Sequence, residues 1–255
     1  MNPVIITFLG SRGPYAGSDE LPAVVIRFGR RVLLLDAGEG VQHRLMDVGV
    51  SVAKVSTILI THMHGDHILG LIPLIQSRSL SNVRKELTIV GPRGLREYLE
   101  ANFKMLKFTP CFDVIIHEVD KGCGDLSIGG LRLSYLRLDH DIDTYGYLIN
   151  VGGNDEVNIC YVTDTRPISL NEYFTKCKIL IHDSTFLSYD RDLAINYGHS
   201  TAADAAKAAI DVNAEMLLLF HMSPRYRDLE LFEAEARRYF RFSYVAKKFT
   251  KVFIK

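Results

Sequence analysis

The 255-residue sequence contains no apolar run that approaches the roughly 20 residues needed to cross a bilayer. Its first residues lead directly into the strand-like residues 4–9, without the basic start and small-residue cleavage site of a signal peptide. We therefore expect no membrane association and a cytoplasmic location.

Cysteine is scarce and scattered, since Cys111, Cys123, Cys160 and Cys177 form no CxxC pair. A chain of this length can bury a sizeable apolar core and does not depend on a disulfide framework. We expect buried or idle thiols at all four positions.

An excess of either charge is also missing, because 30 basic residues balance 30 acidic ones. The distribution is less even. Residues 225–255 hold nine basic and four acidic residues, residues 78–107 hold seven and three, and residues 111–165 hold three and ten. The two basic segments could bind phosphates or could be ordinary solvated helix surface, and both interpretations stay open at this point.

Short β-branched runs alternate with helical patterns along the chain, which is typical of a layered α/β fold. Residues 24–28 and 32–35 flank a turn at Gly29-Arg30 and predict a β-hairpin. Residues 39–48 and 67–78 have helical patterns. We expect Pro73 to kink the second of these helices, because proline lacks the amide hydrogen that a helix interior requires. Thr201, followed three residues later by Asp204, predicts a capped helix start.

Three histidines and one aspartate lie within six positions, directly after an apolar strand pattern that ends at Thr61. They are His62, His64, Asp66 and His67. Imidazole and carboxylate groups are the ligands of catalytic zinc sites, which keep one position open for water. The side chains of His62 and His64 fall on the same side of an extended segment because they are two residues apart. The pattern predicts a metal site, with Asp66 and His67 directed at a second ion.

Four later strand patterns also end in histidine or aspartate, namely before His140, Asp164, His182 with Asp183, and His221. In open α/β sheets, functional sites gather beyond the carboxyl ends of the strands. Any one of these residues, taken alone, is better explained as a hydrogen-bonded polar side chain without a ligand role. Taken together, they favour one shared site.

These motifs resemble the metallo-β-lactamase superfamily over nearly the whole chain, and most of all its ribonuclease Z family of tRNA 3′-processing endoribonucleases. The superfamily element is Thr61-His62-Met63-His64-Gly65-Asp66-His67. The elements that narrow the resemblance are Gly198-His199-Ser200-Thr201 and His221-Met222-Ser223-Pro224-Arg225-Tyr226. Shorter matches are residues 8–10, 35–42, 163–165 and 182–186, with His140 shortly before residues 145–147.

The resemblance implies an α/β fold, a four-layer αββα sandwich of two mixed sheets packed face to face with helices outside. It implies a single domain over residues 1–255, with halves of roughly 1–125 and 126–255. It also implies two Zn²⁺ ions per chain, with Mn²⁺ or Fe²⁺ as alternatives. In that family pattern, His62, His64 and His140 bind one ion, Asp66, His67 and His221 bind the other, and Asp164 bridges them.

The chemistry implied by the resemblance is attack on phosphorus by a hydroxide that bridges the two ions, with a pKa lowered from 15.7 to roughly 7. Asp66 orients this nucleophile. His199, held by the carboxylate of Asp183, protonates the leaving 3′-oxygen. The family typically has glutamate where this chain has Asp183.

Four further residues are candidates for supporting roles in the same resemblance. Arg225 is a candidate phosphate clamp, although a surface ion pair explains it equally well. Ser200 and Thr201 are candidates for substrate contact. Asp36 either orients a ligand histidine from behind or is only a turn residue before Gly38.

Two segments depart from the family pattern. A long flexible arm that grips tRNA usually follows the Tyr-Gly-Tyr element, whereas here residues 148–163 leave room only for two strands and a turn at residues 152–154. The loop at residues 11–18 also lacks the usual Pro-x-Lys-Arg-Asn segment. Neither change touches the metal ligands, but both bear on the substrate.

The leading interpretation is therefore a dinuclear-metal phosphodiester hydrolase that acts on RNA 3′ ends, with a tRNA precursor as substrate. A small-molecule phosphodiesterase, acting on cyclic nucleotides or similar diesters, is the alternative for the same site. Two other classes are a di-iron oxidoreductase, disfavoured because His64 is not replaced by glutamate, and a non-catalytic RNA-binding subunit, disfavoured by the full ligand set. A homodimer is expected from the resemblance alone.

Overall fold

The computed structural model describes residues 3–15, 21–151 and 157–254. The chain forms two compact units. Unit 1 comprises residues 1–10, 20–120 and 248–255, and unit 2 comprises residues 11–19 and 121–247. The prediction that the whole chain is one domain stays a prediction. Within the described ranges, no helix is both long enough and apolar enough to cross a bilayer.

Unit 1 is built on one mixed sheet. Its strands are β1 (Val4–Gly10), β2 (Ala23–Phe28), β3 (Arg31–Leu35), β4 (Thr57–Leu59), β5 (Leu87–Pro92), β6 (Val114–Val119) and β14 (Lys251–Ile254). Their order is β14-β1-β2-β3-β4-β5-β6. The pairs from β14 to β3 are antiparallel and those from β3 to β6 are parallel. The helices are α1 (Val41–Asp47), α2 (Gly65–Ile68), α3 (Leu71–Leu80) and α4 (Leu95–Met105), with a 3₁₀ turn at Val52–Lys54.

The register of this sheet determines where polar side chains emerge. The predicted hairpin is confirmed, since β2 and β3 pair antiparallel around a turn at Gly29. Strands β3 and β4 pair in parallel, with Leu35 opposite Leu59. Because parallel strands end at the same edge of a sheet, the residues after Leu35 and Leu59 emerge side by side. That edge carries the histidine-rich motif.

The predicted kink at Pro73 is wrong. The helical pattern of residues 67–78 is divided between α2 and α3, and the break lies at Leu69 and Gly70. A Cβ atom added to Gly70 would lie 2.2 Å from the carbonyl oxygen of Gly38, so the two backbones touch there. Pro73 falls in the first turn of α3, where an amide hydrogen has no helical partner and proline is tolerated.

Unit 2 is built on a second mixed sheet. Its strands are β7 (Cys123–Ile128), β8 (Leu131–Arg137), β9 (Tyr145–Val151), β10 (Val157–Val162), β11 (Ile179–Asp183), β12 (Met216–Phe220) and β13 (Ser243–Val245). Their order is β13-β12-β11-β10-β9-β8-β7. The helices are α5 (Arg191–Asn196), α6 (Ala202–Asp211) and α7 (Glu230–Ala236), with a 3₁₀ turn at Ser188–Asp190. The predicted capping box of Thr201 and Asp204 is confirmed at the start of α6.

Strands β10 to β13 are parallel to one another, and β8 runs in the same direction because two antiparallel pairings separate it from β10. The residues that follow β8, β10, β11 and β12 therefore emerge at one edge, as the sequence predicts. The paired strands β9 and β10 are also as predicted. The turn predicted between them at residues 152–154 lies outside the described residues.

The expectation of separate thiols is wrong for two of the four cysteines. Cys160 and Cys177 are joined by a disulfide, with Cα atoms 6.0 Å apart. They are 17 positions apart in sequence, so no local motif signals the bond. Neighbouring strands bring them together, because Cys160 lies in β10 and Cys177 comes just before the adjacent β11. Cys111 and Cys123 are free thiols.

Candidate metal and catalytic site

The histidine-rich motif of unit 1 forms a compact group at the end of β4. The chain stays extended through His64, and α2 begins at the next residue. The ring centroids of His62 and His64 are 4.7 Å apart, and those of His62 and His67 are 4.2 Å apart. Nε2 of His67 lies 3.4 Å from Oδ2 of Asp66. The expectation that residues two positions apart converge on one side is met.

Asp36 holds this group from behind. It follows β3 in a left-handed conformation with φ 54°, and Nδ1 of His67 donates to its Oδ2 over 2.8 Å. Its other oxygen accepts from the backbone N–H of Thr61 over 2.8 Å. The Thr61 hydroxyl also donates to Asp36 and lies 2.9 Å from Nδ1 of His62. Asp36 is thus a turn residue whose carboxylate also fixes a histidine of the motif.

Unit 2 contains a second group of histidine and aspartate side chains. Oδ2 of Asp164 lies 3.5 Å from Nε2 of His221 and 4.0 Å from Nε2 of His140. Each of these side chains is at most 3% exposed. Nδ1 of His140 donates to the carbonyl oxygen of Gly198 over 2.8 Å, and Nδ1 of His221 lies 3.0 Å from Oγ1 of Thr185. Both imidazoles therefore direct Nε2 towards the carboxylate.

Three of these residues have a backbone conformation that is uncommon outside glycine. Asp36, Asp164 and His221 have φ values of 54°, 54° and 61°, in the left-handed region where Asp and His are enriched relative to other side chains. Each follows directly, or within two residues, the end of a strand. The sharp change of direction turns the side chain towards the edge of its sheet. Such conformations gather at functional sites.

Gly13 makes a close approach to His221 that a larger residue would prevent. A Cβ atom added to Gly13 would lie 2.0 Å from Nε2 of His221 and within 2.7 Å of two ring carbons. The loop after β1 can therefore lie against this imidazole only with glycine at position 13.

His199 is held by a buried carboxylate, as the sequence predicts. Its Nδ1 donates to Oδ2 of Asp183 over 2.8 Å, and the Thr185 hydroxyl donates to the other oxygen over 2.7 Å. Asp183 is fully buried, whereas the His199 side chain is 12% exposed. The potential ligand atoms of His199, His221 and Asp164 all lie within 4.8 Å of one another. Geometry alone therefore allows His199 to act either as a proton donor or as a ligand.

The electrostatics of the pair favour a charged carboxylate. Burial works to raise the pKa of Asp183, but the charge of His199 and the hydrogen bond from its ring together lower it below its usual value. Burial lowers the pKa of the neighbouring His182, whose Nδ1 donates to the carbonyl oxygen of Asp183. His182 is therefore a neutral residue of the interior.

Two of the three predicted substrate contacts are not placed for that role. Ser200 and Thr201 are fully buried. The Ser200 hydroxyl donates to the carbonyl oxygen of Thr165 over 2.7 Å, and the Thr201 hydroxyl caps α6. Both hydroxyls are thus used inside the protein. Arg225 is exposed, and its guanidinium lies 5.1 Å from the ring centroid of Phe186. Within the described residues it makes no ion pair.

Sequence reasoning missed three buried residues with structural roles, two of them within the histidine and aspartate groups described above. Thr61 and Thr185 each connect a carboxylate to histidines. Both stand inside quoted motifs, so their position beside Asp and His was the available signal. Arg44 on α1 is buried and donates to the carbonyl oxygens of residues 9, 21, 38 and 39. No sequence signal distinguished it from an exposed helix residue.

Comparison with known proteins identifies relatives over nearly the whole chain. A family model described as a beta-lactamase superfamily domain matches residues 30–222. The ribonuclease Z of Sulfurisphaera tokodaii is 32% identical over 96% of this chain and 96% of that protein. The ribonuclease Z of Ignicoccus hospitalis is 29% identical over 92% of each.

The structure is similar to that of the short form of human tRNase Z, with a TM-score of 0.84 and 26% identity, covering 97% of this chain and 98% of that one. Two seven-stranded mixed sheets with helices, together with this match, confirm the predicted metallo-β-lactamase fold class. The chain contains a beta-lactamase superfamily domain and matches ribonuclease Z enzymes over nearly their full length. It therefore belongs to the ribonuclease Z family.

Proposed function

We propose that this protein is a metal-dependent endoribonuclease that cleaves the phosphodiester bond at the 3′ end of tRNA precursors. The observation that carries the proposal is that each of four histidines has its Nδ1 hydrogen-bonded to a protein oxygen. The oxygens belong to Thr61 for His62, Asp36 for His67, Gly198 for His140 and Thr185 for His221. Metal-binding histidines use their second nitrogen in this way, which fixes the ring and selects the ligating atom.

We propose that two zinc ions bind to the residues that the family pattern assigns. One ion takes His62, His64 and His140, the other takes Asp66, His67 and His221, and Asp164 is shared. Imidazole and carboxylate donors, mostly buried, suit zinc. Within unit 2, the position of one Asp164 oxygen near Nε2 of both His140 and His221 suits a shared carboxylate. Mn²⁺ and Fe²⁺ accept the same donors and are the alternatives.

Two bound divalent ions supply positive charge that acidifies water and offsets the charge that develops on the phosphate. The protein residues do the rest. Asp66 orients the attacking water and accepts its hydrogen bond. The attacking water releases one proton to solvent and bonds to phosphorus as the bond to the 3′-oxygen breaks, and His199 donates the proton of its Nε2 to that oxygen. Asp183 holds the ring through Nδ1 and stabilises its protonated form before the transfer.

The substrate follows from the family. The similar proteins are named ribonuclease Z and tRNase Z, and this chain aligns with them over nearly its whole length. Arg225, exposed beside the site motif and stacked on Phe186, is the residue we assign to a substrate phosphate. The short connection between β9 and β10 keeps a second candidate open, a small-molecule phosphodiesterase, because this chain lacks the long arm expected there.

A side-by-side assay tests the proposal. Purified protein is given a 3′-extended tRNA precursor, a cyclic nucleotide and an aryl phosphodiester. We expect cleavage of the precursor at the 3′ end of the tRNA and weaker hydrolysis of the aryl diester. Hydrolysis of the small diesters with an intact precursor would favour the second candidate. Elemental analysis of the same sample distinguishes two zinc ions per chain from no metal, the result expected of the silent subunit. Iron supports the oxidoreductase only if the sample also hydrolyses neither RNA nor the small diesters, because Fe²⁺ also fits the proposed hydrolase.

The homodimer stays a prediction from the family resemblance. Sedimentation of the purified protein at several concentrations tests it directly.

A further inference from the structure

An aromatic and basic segment follows α7, outside the site described above. Residues 237–247 contain four basic residues, four aromatic residues and no acidic residue. All but one of these eight side chains are exposed, Phe240 being half-buried. We call the following set the edge patch: Lys207, Arg237, Arg238, Tyr239, Arg241, Phe242 and Tyr244.

Each exposed ring of the edge patch has a cationic side chain close to its centroid. Nζ of Lys207 lies 5.2 Å from the ring centroid of Tyr239. The guanidinium carbons of Arg237 and Arg241 lie 5.3 Å and 5.8 Å from the ring centroids of Tyr244 and Phe242. The three aromatic residues nevertheless remain 38–50% exposed. Rings of this size on a surface are available for stacking, and the adjacent cations are available for phosphate.

The charge of the edge patch is largely uncompensated. Arg237 forms an ion pair with Glu233 over 2.6 Å. Lys207, Arg238 and Arg241 form none with any residue that the structure describes. An exposed surface with several unpaired cations attracts polyanions through their phosphates.

The edge patch lies beside the strand that leads to the candidate site. Strand β13 is the edge strand of its sheet, and Ser243 pairs with Leu217 of the parallel β12. His221 follows Leu217 by four residues, which corresponds to about 13 Å along a strand. Tyr244 lies in β13, and Phe242 is the turn residue just before this strand. A bound chain of nucleotides could therefore extend from these rings to His221.

We propose that the edge patch binds the RNA substrate, with nucleotide bases stacked on Tyr239, Phe242 and Tyr244 and phosphates on the neighbouring cations. The inference rests on the proposed ribonuclease function. It assigns the grip on RNA to a surface of the fold itself, in a chain whose β9–β10 connection is too short for an RNA-binding arm.

The test compares two patch variants with the parent enzyme in its metal-bound form. One carries Tyr239→Ala, Phe242→Ala and Tyr244→Ala, and the other carries Arg238→Gln and Arg241→Gln. Tyr173→Ala is the matched control, because Tyr173 is a comparably exposed ring in the same unit but outside the patch. Kinetic constants are measured for a tRNA precursor and for an aryl phosphodiester. The Kd for the cleaved product RNA is measured by fluorescence anisotropy at several salt concentrations.

We expect the aromatic variant to raise KM for the precursor and Kd for product RNA by about tenfold or more, since stacking contributes on that scale per base. Hydrolysis of the aryl diester, thermal stability and the Tyr173→Ala control stay near the parent. The arginine variant should reduce the slope of log K against log salt by about 1.4 to 1.8.

Unchanged RNA affinity in both variants would overturn the proposal. Dissociation of a dimer in the aromatic variant, with RNA affinity retained, would identify the patch instead as an interface between copies of this chain. If the parent binds RNA without cleaving it and the patch variants lose that affinity, the proposed nuclease function fails while the RNA-binding surface stands.

Discussion

Nδ1 of His67 donates to Oδ2 of Asp36 over 2.8 Å, and both side chains are fully buried. A buried carboxylate is costly unless it is hydrogen-bonded, and Asp36 meets this need through His67 and Thr61. The contact also decides that His67 offers Nε2 for coordination. One residue that follows β3 thus fixes the orientation of a proposed ligand that follows β4.

Replacing Asp36 with asparagine should weaken metal binding by about 10- to 100-fold, because an amide oxygen accepts the His67 hydrogen bond less strongly than a carboxylate. Competition with a chelator of known affinity measures the effect. Asp47→Asn on the exposed side of α1 is the control and should bind metal like the parent. Lower thermal stability with parental metal affinity would give Asp36 a structural role only.

His64→Ala should abolish hydrolysis while the fold survives, because it removes a ligand donor without leaving a buried core cavity. We expect a lower metal content per chain and a circular dichroism spectrum like that of the parent. His43→Ala, at an exposed position on α1, is the matched control and should keep full activity. Parental turnover by the His64 variant would remove it from the proposed ligand set.

His199→Ala should slow RNA cleavage by about 10²- to 10⁴-fold without loss of metal, since a positioned general acid contributes on that scale. Turnover and metal content are measured on the same preparation. Aryl diesters with a good leaving group need less protonation, so their hydrolysis should fall less. Loss of metal in this variant would instead identify His199 as a ligand. Its potential ligand atom lies within 4.8 Å of those of Asp164 and His221, which allows that role.

The ion pair of Asp204 predicts a pH dependence of stability away from the site. Burial works to raise the pKa of Asp204, but hydrogen bonds from Arg191 and Thr201 lower it below its usual 3.8. A depressed pKa means that the carboxylate stabilises the folded state above about pH 4 and that this contribution is lost as pH falls further. Asp204→Asn should lower the melting temperature at pH 7 and narrow its gap to the parent towards pH 2.

Melting curves from about pH 7 to pH 2 check this sign. Asp192→Asn, an exposed acidic position on α5, is the control and should follow the parent throughout. If the difference in melting temperature between the parent and Asp204→Asn stays constant across this range, the charge of the carboxylate does not contribute to stability.

The sequence alone determined the fold class and the residue types of the candidate site. Apolar periodicity is local and marks strands and helices, as the hairpin around Gly29 and the capping box at Thr201 show. Parallel strands share an edge, so the polar residues after β10, β11 and β12 could be grouped without coordinates. The spacing of His62 and His64 supported the metal prediction, because side chains two residues apart lie on the same side of an extended segment.

Only the tertiary structure decided what depends on contacts between distant segments. The helix breaks at Gly70 because its backbone meets Gly38, and Cys160 bonds to Cys177 because β10 and β11 are neighbours. Ser200 lies inside a motif that predicts substrate contact, yet its hydroxyl donates to the carbonyl oxygen of Thr165. Periodicity reports which residues share a face, whereas close packing of segments remote in sequence determines which polar atoms remain available for chemistry.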